Sequence, residues 1–108
     1  MYGVTADVRI TDGTPPLENT PAAAAWAATA VRDVLGEAGL VPLGTTNMGG
    51  EDFAYMLNAK QGAYLMLGTA RSRDEAPLHH PKYDFNDEML PVGASWWATL
   101  AEQLLPRS

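Results

Sequence analysis

From Val4 to Ile10 apolar and polar residues alternate, with Val4, Ala6, Val8 and Ile10 set against Thr5, Asp7 and Arg9. A period of two is that of a half-buried strand. Thr11-Asp12-Gly13 and Pro15-Pro16 are turn and extended-chain signals, so Thr11 to Asn19 reads as a connector and as the best candidate for a boundary. Thr20 can cap a helix that has Pro21 at its first position. Along that helix Trp26, Ala30, Val34 and Ala38 recur every four residues, with Val31 and Leu35 alongside, until Gly39 ends it. Such a stripe is core packing rather than a cofactor box. Leu40 to Leu43 predicts a short buried strand, Gly44 to Gly50 a polar loop, and Glu51 the neighbourhood of a second, shorter helix.

Ala63 to Leu67 is continuously apolar, as in a strand covered on both faces, and is expected to be the central strand. Thr69 to Tyr83 holds two prolines and both histidines and reads as a long loop, a kind of segment that often carries function. Pro91 can open a last helix whose Trp96, Leu100 and Leu104 form one apolar line, flanked by Trp97, Ala101 and Leu105. The order strand, helix, strand, helix, strand, loop, helix predicts an α/β fold with part of its sheet buried.

With 108 residues, 46% of them hydrophobic, the chain can form one core with little to spare. A net charge of -6 repels phosphate backbones and anionic membranes, which argues against a nucleic-acid or membrane partner. Without cysteine there is no disulfide framework, thiolate nucleophile or cysteine metal cage. No apolar stretch approaches a membrane span, and Met1 to Arg9 lacks the pattern of a secretion signal. The expectation is a soluble, cytoplasmic protein.

Two segments could do chemistry. His79-His80 lies near Asp84, Asp87 and Glu88 in sequence, and imidazole with carboxylate suits zinc, manganese or iron. Pro81 biases His80 to an extended conformation, in which neighbouring side chains point to opposite sides, so a single histidine would face a given ion. One imidazole with scattered acids falls short of the three protein ligands of a catalytic zinc. The other segment, Met48-Gly49-Gly50-Glu51-Asp52-Phe53, runs a glycine pair into a helix start, where free N–H groups can hold an anion such as a carboxylate. Glu51 and Asp52 are also ordinary first-turn stabilisers, and they weaken the attraction for a bound anion. Ser95 and Thr99 have no positioned base and read as surface or packing residues.

Taken in order, Gly49-Gly50-Glu51-Asp52-Phe53-Ala54-Tyr55, the segment Ala63 to Gly68, and Leu78-His79-His80-Pro81-Lys82-Tyr83-Asp84-Phe85-Asn86-Asp87 resemble the carboxy-terminal part of the aminoacylase, hippurate hydrolase and carboxypeptidase family of metal-dependent amidohydrolases. The resemblance covers nearly the whole chain. It implies hydrolysis of N-acyl amino acids or related small amides with one or two divalent metals, zinc or manganese. It implies that His79 is a metal ligand, with Asp84 or Asp87 as a candidate to orient its ring, and that Gly49 and Gly50 border the substrate.

For the fold, the resemblance implies part of a three-layer α/β catalytic domain, residues 20–108, preceded in residues 1–19 by the last strand of the lid, or dimerisation, domain and a connector. The remaining metal ligands and the general-base glutamate would lie in an amino-terminal portion outside these 108 residues. The chain is then expected to act as a fragment with no catalytic residue of its own, inactive alone, holding no metal by itself and prone to form a homo-oligomer. The contrasting expectation is a non-catalytic module that folds by self-association through Val4 to Ile10. In a further variant, several copies of His79 build a metal site between them.

Overall fold

The computed structural model describes residues 2–105. Its regular elements are three helices: α1, Pro21–Leu35; α2, Phe53–Ala59; and α3, Leu90–Leu104. Short 3-10 turns at Glu37–Gly39 and Asp87–Met89 follow α1 and precede α3. Proline stands in the first turn of both α1 and α3, where its missing N–H breaks no helix bond and its fixed φ suits the helix. No helix among the described residues is long and apolar enough to cross a membrane.

α1 ends at Leu35, short of the expected Ala38. Gly36 takes φ 72°, a left-handed value that glycine adopts without penalty, and its N–H closes the helix on the Arg32 carbonyl at 2.8 Å. Arg32 also reaches past the break to Glu37, Nε to Oε1 at 2.8 Å.

α1 packs on α3 through its small residues. Ala27 and Ala30 are buried while Trp26, expected on the core stripe, is 45% exposed. Alanine at the contact lets the two helices approach closely enough for Trp96 Nε1 to donate to the Ala27 carbonyl at 3.1 Å. At the other end Gln103 Nε2 donates to Asp33 Oδ2 at 2.6 Å. Among the described residues, Ala54 of α2 is the other buried apolar residue.

The α/β expectation is overturned: among the described residues there is no strand and no sheet. Val4 to Ile10, Leu40 to Leu43 and Ala63 to Leu67 were the expected strands. A strand pairs its backbone only with a neighbour, and these segments run singly. The consequence shows in exposure, with Val4, Val8 and Ile10 at 75–88% and Met66 of the expected central strand at 63%. The three-layer domain and the lid strand go with it. A radius of gyration of 19.2 Å, against about 13 Å for a compact domain of this length, reflects the same lack of a closed core.

One rung of pairing survives, made by side chains. The Asn19 carboxamide faces the Tyr64 peptide, with Tyr64 N donating to Oδ1 at 2.8 Å and Nδ2 donating to the Tyr64 carbonyl at 3.0 Å. A carboxamide carries one acceptor and donors side by side, so it can take the place of a neighbouring backbone. Next to it Thr20 N donates to the Gly62 carbonyl at 2.9 Å and Gly62 N donates to Thr20 Oγ1 at 3.3 Å. Thr20 thus spends its hydroxyl on Gly62 rather than on capping α1.

Replacing Trp96 by Phe keeps an aromatic ring, though a smaller one, and removes the bond to Ala27. It is expected to lower stability by about 1 kcal/mol, read as a drop in urea midpoint at unchanged slope. Asn19→Ala is expected to speed hydrogen exchange at the Tyr64 amide while leaving α3 amides unchanged.

Candidate functional site

The loop between Thr69 and Asn86 carries both histidines, and side chains hold its neck shut. Asn86 Nδ2 donates to the Thr69 carbonyl at 3.0 Å, and the hydroxyls of Thr69 and Tyr83 meet at 3.2 Å. Tyr83 packs edge-on against Phe85, ring centroids 5.1 Å apart. Asn86 also accepts from Glu88 N at 3.2 Å, so one residue closes the loop and starts the turn into α3.

Arg71 ties the two limbs of the loop. Its guanidinium donates to Glu75 Oε1 on one limb and, at 2.8 Å, to the Phe85 carbonyl on the other, while its own N–H donates to Glu75 Oε2. The first of these causes, the backbone N–H of Arg71, and then the guanidinium lower the Glu75 carboxyl below its ordinary value of 4.5; the same carboxylate raises Arg71.

At the far end of the loop two tight turns follow one another. His80 N donates to the Pro77 carbonyl at 3.0 Å, and Tyr83 N donates to the His80 carbonyl at 2.9 Å. His79 sits third in the first turn with φ 70°. Type II turns place that φ at their third residue, usually with glycine there. An L-residue pays steric strain in this region, and such positions gather at functional sites. His79 is exposed. His80 is turned to a local task, its Nδ1 accepting from Lys82 N at 3.1 Å. The two adjacent histidines thus differ in turn position and in bonding.

Around His79 no group of three His, Asp or Glu side chains able to hold a metal exists among the described residues. The ion pairs among the described residues are Arg32–Glu37 and Arg71–Glu75, neither involving Asp84 or Asp87. An exposed imidazole suits a metal as a single donor, and a centre needs further donors from elsewhere.

Gly49 and Gly50 are exposed, and Gly49 N donates to Asn47 Oδ1 at 2.8 Å. The start of α2 beside them already holds an anion: Glu51 Oε1 accepts from Phe53 N at 3.1 Å. That bond first, and then the neighbouring Asp52 and Tyr64 side chains, lower the Glu51 carboxyl, and Tyr64 is raised in turn. A separate shallow, mainly apolar hollow of about 270 Å³ lies between Leu67, Phe85, Met89, Leu90 and Gly93, and none of His79, Gly49 or Gly50 lines it. The structure thus leaves the glycine pair and His79 in separate places. The neck residues Arg71, Glu75 and Asn86 escaped the sequence reading; the four-residue Arg71–Glu75 spacing and an Asn before an acidic helix start were the available signals.

The family profile described as Peptidase family M20/M25/M40 matches residues 4–103. A probable hydrolase of Synechocystis sp. is 30% identical over 93% of this chain and 28% of its own length. The putative amidohydrolase YhaA of Bacillus subtilis is 30% identical over 87% of this chain and 24% of its own. The IAA-amino acid hydrolase ILR1-like 2 of Arabidopsis thaliana is 37% identical over 69% of this chain and 17% of its own. The chain belongs to the M20/M25/M40 peptidase family. It spans roughly a quarter or less of the length of these curated relatives. No solved structure matches it.

Because the folded loop holds Glu75 below its ordinary pKa, folding favours the deprotonated form, and that contribution is present above pH 4.5 and lost as pH falls through the lowered value. The Arg71 amide resonance is expected to stay constant from neutral pH down to about 4.5, then move in a step that Glu75→Gln abolishes.

Proposed function

We propose that this chain contributes one metal ligand, His79, to the active centre of a metal-dependent amidohydrolase acting on N-acyl amino acids or related small amides. Membership of the peptidase family and the named activities of its relatives support the reaction class. The observation that carries the assignment is His79 itself, exposed and held at φ 70° at the end of a side-chain-braced loop. A zinc or manganese ion, when bound, would supply a Lewis acid for the amide carbonyl and an activated water. His79 would hold it as neutral imidazole, its ring set by the Pro77 to His80 turn. Gly49 and Gly50 would border the substrate, a role that Glu51 limits by placing its own carboxylate beside them.

The chain alone supplies too few donors for turnover, and it is expected to leave N-acetyl amino acids uncleaved. Grafted in place of the matching segment of the Bacillus subtilis relative, it is expected to support hydrolysis. In that graft His79→Ala should lower metal affinity by at least about tenfold, with His80→Ala close to unchanged. Metal content after dialysis against a chelator checks both. Equal metal retention in the two variants would overturn the assignment.

A second reading, that copies of the chain associate, is favoured by the exposed Val4, Val8 and Ile10. Sedimentation at twice the chain mass, reversed by Val8→Asp, would support it; monomer mass throughout would contradict it.

A further inference from the structure

The bonds from Thr69 to Asn86 and Tyr83 close the loop at its ends. Arg71 ties the rising limb, as far as Glu75, to Phe85 beside that closure. Its fork reaches Glu75 on the rising limb and the Phe85 carbonyl on the falling one, and its N–H takes the other oxygen of the same carboxylate. Glu75 is the less exposed partner, its side chain 23% accessible against 44% for Arg71.

What this brace holds is a backbone that does not hold itself. His79 at φ 70° persists only while its surroundings fix it, and the turn that contains it, Pro77 to His80, and the one that follows, His80 to Tyr83, have one backbone bond each. We propose that Arg71 is the positioning residue of the His79 loop: by tying Glu75 to the Phe85 carbonyl it fixes where the imidazole stands. The role rests on the reading of His79 as a metal ligand. Lysine would not replace it, because an ammonium is a point donor, whereas the planar guanidinium spans two acceptors in different limbs.

The test uses the isotope-labelled 108-residue chain and its Arg71→Met and Arg71→Lys variants. Loss of the brace is expected to speed exchange of the His80 and Tyr83 amides by about fivefold in both variants, the upper range for a half-exposed ion pair. The His79 amide should show more fast motion in its nitrogen relaxation, while amides of α1 and α3 stay as they are, which separates loop release from unfolding. Unchanged His80 and Tyr83 exchange in both variants overturns the role of Arg71 and leaves the ligand reading standing. Equal metal retention by the His79→Ala and His80→Ala grafts overturns the ligand reading and, with it, the presentation of a ligand by Arg71.

Discussion

A helix satisfies its peptide groups from within, whereas an extended segment satisfies them only through a neighbour. That asymmetry governs this chain. α1, α2 and α3 form because their bonds run four residues apart in one segment. Val4 to Ile10 and Ala63 to Leu67 have the composition of strands but run unpaired, and their side chains stay exposed. The buried apolar residues, Ala27, Ala30 and Ala54, are alanines, each burying only a methyl group. Since a fully buried large apolar side chain contributes roughly 1.5–3 kcal/mol, the chain forgoes most of the stabilisation its own Val, Ile, Leu and Met could give.

Where backbone partners are lacking, polar side chains stand in for them. Asn19 pairs with the Tyr64 peptide, Asn86 bonds the Thr69 carbonyl, and Arg71 reaches the Phe85 carbonyl. Each of these joins segments distant in sequence at the cost of ordering a single side chain. The outcome is a histidine-bearing loop whose form depends on local bonds and not on a sheet beneath it. This is how a chain without a large core can still hold His79 in a defined turn.

The helices were readable from sequence because their signals are local: Pro21 and Pro91 near their starts and apolar residues at three and four spacings. The end of α1 was misplaced because Gly36 and Gly39 are both plausible stops, and the choice fell to the one that adopts a positive φ. The strands were misread for a deeper reason. Alternation in Val4 to Ile10 records a face meant to be covered, and a pattern cannot say whether the covering residues are part of the same chain. Pro81 suggested an extended segment at His80, whereas the backbone there forms a pair of turns. The brace of Arg71, Glu75 and Phe85 was not, since it depends on a carbonyl fourteen residues away.

Backbone carbon chemical shifts of the labelled chain test most directly whether helices and side-chain bonds, without a sheet, are what hold it. Helical values confined to residues 21–35, 53–59 and 90–104, with values at 4–10 and 63–67 free of any strand signature, are the predicted result. Strand values at those two segments, accompanied by slow exchange along either of them, would contradict it.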